Sequence, residues 1–339
     1  MVSIKEVARL AGVSDKTVSR VVNREPNVRA DTFTRVQRVI AETGYVPNMA
    51  ARHMRSSRSN TMGIITDYIS TTPYSGNIVR GIQDWAAANG RTVLLANTNG
   101  HLDKELESWK MFMAHRIEGA LYVTMYHRIA SPERGSVTLP SMLINCRSAK
   151  EESEASIEPD DFQGSRDLTR FVLARGHRRI GYLRLNPKLL GAEERHTAFR
   201  ATVREAGLGE SDIDVRLGME GPIGSERNHV YREARSLLEK ANRPSVLMCG
   251  NDEMALQAYL AALGMGLQIP QDVSIVGFDD FQPVSLALKP ELTTAALPYY
   301  DLGYRGAERL DSTIAGKPLA SRTLTLDCPL VVRSSCAPV

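Results

Sequence analysis

Apolar residues near the start of the chain fall on one side of two short helical repeats. In IKEVARLAGVSDKTVSRVVN (4–23), Val7, Ala8, Leu10 and Ala11 form one stripe and Val18, Val21 and Val22 another, both at helical spacing. Gly12 between them supplies the backbone freedom of a sharp turn, and Val13 is placed to plug the angle between the helices. Ser14 is placed to cap the second helix by accepting from the amide of Lys16 or Thr17. A third helix is predicted over about 32–43, with Asp31 as cap, Gly44 as stop, and Phe33, Val36, Val39 and Ile40 turned inward. The pattern is a three-helix helix-turn-helix domain. Asp15, Lys16, Thr17, Ser19, Arg20 and Asn23 remain on the outer side of the second helix, where their side chains suit phosphates and base edges.

From Thr61 the periodicity changes to strands alternating with helices. TMGIITDYI, RTVLLANT, GALYVT, PSMLIN, RIGYLRL, DIDVRL, SVLMCG and VSIVGFD read as strands. Helices are predicted over 76–89, 103–116, 162–175, 193–206, 227–241, 252–263 and 299–315. This alternation implies an α/β core of parallel sheets covered on both faces, and it is long enough for two sheets in tandem. Ligands in such folds bind beyond the carboxyl ends of the strands, so polar residues directly after the apolar runs are the ones to watch. Between the two regions, YVPNMAARHMRSSRS (45–59) has helix-forming composition over 49–55, yet it is too short and polar to stand alone.

Charge separates the same two regions. Residues 1–58 hold 11 Lys or Arg against 5 Asp or Glu, whereas the remaining 281 residues hold 31 against 34. A basic head on a mildly acidic body is the footprint of a DNA-binding module joined to a regulatory or catalytic domain. No run approaches the ~20 apolar residues of a membrane helix. The first residues enter an amphipathic helix directly, so no secretory signal is expected and the protein is expected in the cytoplasm. Cys146, Cys249, Cys328 and Cys336 lack metal-ligand spacing and read as reduced thiols.

IKEVARLAGVSDKTVSRVVN, GYVPNMAARHMR, GHRRIGYL, GNDEMALQAYLAALGMGLQIPQDVSIVGFDD and LTTAALPYYDLG occur in this order, and the chain thereby resembles the lactose/galactose repressor family of bacterial transcription regulators. The resemblance runs from residue 3 to about residue 333 and is most specific in the head and in QIPQDVSIVGFDD. It implies a ligand-responsive regulator, most simply a repressor, that binds double-stranded, pseudo-palindromic operator DNA as a homodimer or tetramer. It also implies a periplasmic-binding-protein-like core of two Rossmann-like subdomains with a sugar, sugar acid or sugar phosphate between them. No heptad pattern follows Arg333, which favours the dimer. The implied domains are 1–47 for the helix-turn-helix, 48–58 for the hinge helix and linker, and 59–339 for the effector and dimerisation domain. The last divides into an N-subdomain of about 59–157 and 293–325 and a C-subdomain of about 158–292 and 326–339.

Residue by residue, the resemblance assigns base contacts to Asp15, Lys16 and Arg20, and phosphate contacts to Ser14, Thr17, Ser19 and Asn23. Arg20 has the reach for both guanine acceptors. Asn48, Ala51 and Met54 match the hinge that enters the minor groove, with Met54 where the family usually wedges a leucine. Tyr74 and Ser75, in the loop after the first strand, together with Asn145, Arg147, Arg195, Met219, Asn251 and Asp279, match effector positions. Met219 stands where relatives place an aromatic ring and Leu297 where a glutamine is frequent. Asp252 serves equally as helix cap or ligand contact, and Asp280 reads as structural. Arg147 adds a second cation beside Arg195, which leaves room for an anionic ligand.

An enzyme of the same architecture would need chemistry that the sequence does not offer. TMGIITDYISTTPYSGN carries no phosphate-cradling glycine loop, GLGESD (207–212) precedes no helix, and G-x-S-x-G does not occur. His53, His177, His196 and His229 are scattered and read as surface or turn residues, so no metal and no cofactor is expected. A free-standing solute-binding protein would not carry the basic head.

Overall fold

Helix α1 (Ile4–Ala11) opens where the Ser3 hydroxyl accepts the Glu6 amide, and it closes where Gly12 turns left-handed at φ 63°. Helix α2 (Asp15–Val22) is capped as predicted, with the Thr17 amide donating to Ser14 Oγ at 3.2 Å. Helix α3 (Ala30–Thr43) stops at Gly44, φ 62°, but its N-cap is Arg29 without a side-chain bond. Asp31, predicted as the cap, lies inside the first turn, where its charge still meets the positive end of the helix dipole. Val7, Ala8, Ala11, Val18, Val21, Val36 and Val39 form the buried core, with Val13, Phe33 and Ile40 packed at its edge. Leu10 does not join it and is 48% exposed. At 100° per residue it points about 100° away from the arc centred on Val7, Ala8 and Ala11.

The computed structural model describes residues 2–22, 25–45, 59–69, 75–149 and 154–339. It divides into two compact units, Met1–Ser59 and Asn60–Val339. Asn23, the 48–58 segment with Asn48, Ala51, His53 and Met54, and Tyr74 lie outside the described residues.

In the second unit the chain runs β1 (Thr61–Thr66), α4 (Ser75–Ala88), β2 (Thr92–Asn97), α5 (Leu102–Ala114), β3 (Gly119–Ala130), β4 (Ser141–Ser148) and β5 (Ala155–Pro159). It continues through α6 (Asp161–Ala174), β6 (Ile180–Arg184), α7 (Leu190–Glu205), β7 (Ile213–Leu217), β8 (Met219–Glu220), β9 (Arg227–Asn228) and α8 (Val230–Leu238). It ends with β10 (Val246–Cys249), α9 (Asp252–Gly264), β11 (Ser274–Asp279), α10 (Gln282–Ser285), β12 (Thr293–Ala296), α11 (Tyr299–Ile314), β13 (Thr323–Leu326) and β14 (Leu330–Val331). Two six-stranded sheets result, ordered β13-β5-β4-β3-β1-β2 and β14-β12-β11-β10-β6-β7. Every pairing in them is parallel except β12 with β14. Each sheet is the centre of a lobe. The chain crosses from the first to the second after β5, returns after β12, and crosses again between β13 and β14.

Several elements depart from the sequence expectation. Thr293–Ala296, expected in the N-subdomain, pairs with Val276–Asp279 in the second sheet, so the return crossover comes after Ala296. The helix expected over 227–241 is shorter, because Arg227 and Asn228 pair with Met219 and Glu220 in a small hairpin before it. Ser75 opens helix α4 rather than lying in a loop. His177 is buried, exchanging hydrogen bonds with Ser245 Oγ at 2.8 Å and the Ala337 carbonyl at 3.0 Å. Strand β3 continues well past Thr124, and its register with β4 shifts between Val123 and Arg128. Such an irregularity re-aims side chains, and here it turns Met125, Tyr126 and His127 toward the space between the lobes.

Helices α4 and α11 pack backbone against backbone. A methyl group added at Gly303 would lie 2.0 Å from the Ile78 carbonyl oxygen, and one at Gly81 would lie 2.1 Å from that of Tyr300. Gly303→Ala must therefore push the helices apart, and the expected loss is about 1–3 kcal/mol or more. Urea unfolding measures it; a wild-type midpoint would mean that this close approach does not exist.

Candidate effector cavity and DNA-facing helix

The carboxyl ends of β3 and β4 on one lobe and of β6, β10, β11 and β12 on the other surround a cavity. It encloses about 760 Å³ of space outside protein atoms, part of it open to solvent. Of the eight predicted effector residues, Asn145, Arg195, Met219, Asn251 and Asp279 line it, as does Leu297.

Arg195 is fixed before any ligand arrives. Its Nε donates to Asp161 Oδ1 at 2.6 Å and its Nη1 to the Gly250 carbonyl at 2.6 Å, with Asp279 Oδ1 3.5 Å away. The guanidinium lies 3.8 Å above the Phe278 ring. Burial opposes ionisation of Asp161, but the charge of Arg195 and the bond from His127 overcome it and hold its pKa at about 2. Asp279 differs: burial dominates, Arg195 only partly offsets it, and its carboxyl titrates well above the usual range. Its φ of 119° is one that side-chain-bearing residues rarely adopt, a strain of the kind that collects at binding sites.

Asn145 sits at φ 58° on β4 and is almost fully buried. Its Nδ2 donates to the Thr124 carbonyl at 3.0 Å, while its Oδ1 has no partner among the described residues. A buried acceptor facing a cavity without a donor calls for one from whatever fills the space. Asn251 is the N-cap of α9, its Oδ1 accepting from the Met254 amide at 2.9 Å. The cap is thus Asn251, while Asp252 reaches inward to accept from the Phe281 amide at 2.8 Å and Thr294 Oγ1 at 2.7 Å. Burial pushes the Asp252 carboxyl up to about 7 against those two bonds. Asp280 is structural as expected, bonded to Arg333 at 2.7 Å and Ser285 at 2.9 Å.

Arg147 is the clear departure. It is held by Glu158 at 3.0 Å and Glu194 at 3.2 Å, and it does not line the cavity. The cavity cations among the described residues are Arg195 and His127, and both already lie against carboxylates. Sequence reasoning missed His127, Tyr126, Asn186, Glu226, Glu253 and Tyr299, all of which line the wall. Only the continuation of the β3 apolar pattern beyond Thr124 signalled the first two.

In the first unit, Ser14 before α2 and Asp15 and Lys16 on it are exposed, and Thr17, Ser19 and Arg20 are half-exposed. Ser14 and Thr17 share a hydroxyl–hydroxyl bond of 3.0 Å. Arg20 rests 3.7 Å from Glu25, an exposed pair weak enough to exchange for DNA. A groove beside α2 adds Asn27, Arg29 and Thr32 to the polar face, three residues not anticipated from the helix alone.

Comparison with known proteins agrees with this division. Residues 3–48 match the model of bacterial regulatory proteins of the lacI family, and residues 169–336 match that of the periplasmic binding protein-like domain. The sucrose operon repressor of Shigella flexneri is 33% identical over 99% of this chain and all of its own length. The chain belongs to the lacI family of bacterial regulatory proteins. It is a DNA-binding transcription regulator with an effector-binding core. The ribose operon repressor of Escherichia coli K12 is 30% identical over 99% of this chain and all of its own. A crystal structure described as a LacI-family regulator from Rhizobium etli is 62% identical over 83% of this chain and all of that one, with a TM-score of 0.80. These curated relatives are transcriptional repressors rather than enzymes. No helix among the described residues is long and apolar enough to cross a membrane.

Arg195→Ala is, in this setting, no clean probe of ligand binding. It leaves Asp161 buried beside one fewer cation, and the expected destabilisation is about 3–5 kcal/mol. Asp279→Asn removes a charge that burial already opposes, and it should cost far less. Denaturant midpoints of the two variants decide; equal losses would contradict the electrostatic assignment.

Proposed function

We propose that this regulator is a repressor that binds a pseudo-palindromic operator as a homodimer and is switched by an uncharged, polyhydroxylated small molecule, a sugar, in the cavity. The observation that carries the effector class is the unpartnered Asn145 Oδ1 on a wall whose cations are already neutralised. A ligand hydroxyl satisfies that acceptor. Among the described residues a sugar acid or phosphate meets no unpaired cation there, and it faces Glu226 and Glu253 besides. The sugar-operon names of the curated relatives support the same class. Arg195, Asn251, Asp279 and Met219 supply the remaining contacts. Because the wall comes from both lobes, a bound ligand has different affinity for open and closed clefts, as switching requires.

On the DNA side, Lys16 and Arg20 read base edges, and Asp15 accepts from a cytosine amine or orients Lys16. Ser14, Thr17, Ser19 and Asn23 set the register on phosphates. Asn48, Ala51 and Met54 reach the minor groove between half-sites. Tyr231, Leu260 and Leu263, exposed on α8 and α9, give a second copy an apolar face to dock on.

Arg20→Ala should relax preference at one base position per half-site, while Thr17→Ala weakens all sequences about equally. Selection of bound sequences with each variant checks this, and uniform loss for Arg20→Ala removes it from base readout. For the cavity, neutral sugars, their phosphates and their uronic acids are compared by thermal shift. A neutral sugar should stabilise, by about 2.7 kcal/mol at 100 times its Kd. Its charged derivatives should not, and Asn145→Gly, which suits the positive φ, should lose the response. Binding of the phosphate in preference to the parent sugar overturns the charge assignment.

A further inference from the structure

We infer that His127 is a positioning residue that joins the lobes: as an imidazolium between Glu158 of the first lobe and Asp161 and Glu194 of the second, it holds the cleft together and sets Arg195 in place. Its Nδ1 lies 2.6 Å from Asp161 Oδ2 and 3.9 Å from Glu194 Oε2, and its Nε2 lies 3.1 Å from Glu158 Oε2. A neutral imidazole has one N–H and can donate to one carboxylate only; the protonated ring donates to both. With both nitrogens against carboxylates and the ring buried, the geometry calls for the charged form.

The neighbours on each packed element support the same state. From β3 itself, Arg128 turns away to Asp67 at 3.0 Å. Strand β4 contributes Arg147, β5 Glu158, α6 Asp161, and α7 both Glu194 and Arg195. Glu158, Asp161 and Glu194 thus face His127 and Arg147, while Arg195 is shared between Asp161 and Asp279, and without a charge on His127 the carboxylates outnumber the cations four to two. Arg147 to Glu194 and His127 to Asp161 both span the lobes. Tyr68 Oη, donating to the Ile223 carbonyl at 3.3 Å, adds an uncharged link across the cleft. Asp161 carries the effect into the cavity, since it accepts from His127 with one oxygen and from Arg195 with the other.

Burial works against the charged ring, but the bonds to Asp161 and Glu158 prevail and lift the His127 pKa to about 9. The folded value lies above the ordinary 6.5, so the stabilisation is complete below about pH 6.5 and is lost as pH rises through about 9. The consequence for ligand affinity rests on the effector assignment; the link between lobes does not, and it is tested without ligand.

The test uses the full chain with spin labels at Lys110→Cys on α5 and Arg232→Cys on α8. Both positions are exposed, and all four native cysteines are buried. Labelled chains are diluted with unlabelled ones, so that only the distance within a chain is read. At pH 7 a single narrow distance is expected; at pH 10 it should broaden and shift. H127Q should show the pH 10 distribution at both values, and H127K, which keeps a cation, should restore the narrow one at pH 7. If H127Q fails to fold, the wild-type series decides alone, with NMR of the imidazole reporting the protonation midpoint. An unchanged distance from pH 7 to 10, or a ring that titrates at or below 7, overturns the proposal. A protein that binds no sugar would remove the effector assignment and leave this result standing.

Discussion

Asp161 is a fully buried carboxylate that accepts from two cations on different lobes, and the geometry of the cavity depends on it. His127 reaches it from the irregular stretch of β3 and Arg195 from α7. A buried carboxylate without partners is strongly unfavourable, so neither cation can leave without a replacement. Arg195 is thereby presented to the cavity in a fixed position, stacked on Phe278 and bonded to the Gly250 carbonyl. Preorganisation of this kind lowers the ordering cost of binding.

The architecture explains how such a site can serve as a switch. Three crossovers tie the lobes together, while the cavity lies where the strands of both sheets end. The crossovers allow the lobes to change orientation without breaking either sheet, and the charged cluster beside them supplies an energetic preference among orientations. In the proposed function, a ligand that satisfies Asn145 on one lobe and Asn251 and Asp279 on the other adds its own preference. Under the proposed function, lobe orientation is the two-state element that ligand and DNA both bias.

Much of this was legible in the sequence, because the relevant signals are local. Gly12, Ser14 and Gly44 set helix ends through backbone conformation and capping, and the apolar runs of the strands placed Asn145, Asn251 and Asp279 near the carboxyl ends of strands. What escaped was non-local. Arg147 follows the β4 run as a cavity residue would, but Glu158 and Glu194, distant in sequence, claim it. His127 gave no motif, because its meaning arises from a register shift and from carboxylates on three other elements. Thr293–Ala296 went to the wrong lobe because a short strand says nothing about its neighbour. Leu10 shows the limit of apolar spacing in a two-turn helix, where a single position off the buried arc stays in solvent.

In the proposed function, ligand and operator act on one equilibrium between lobe orientations. Linkage then requires reciprocity: the factor by which a sugar changes operator affinity must equal the factor by which operator changes sugar affinity. Calorimetric titration of the sugar found by thermal shift, into free protein and into protein saturated with operator from its own upstream region, measures this directly. Two sugar affinities are expected, and their ratio matches the shift in operator affinity. Equal sugar affinities with and without DNA, in a protein that binds both, would contradict it.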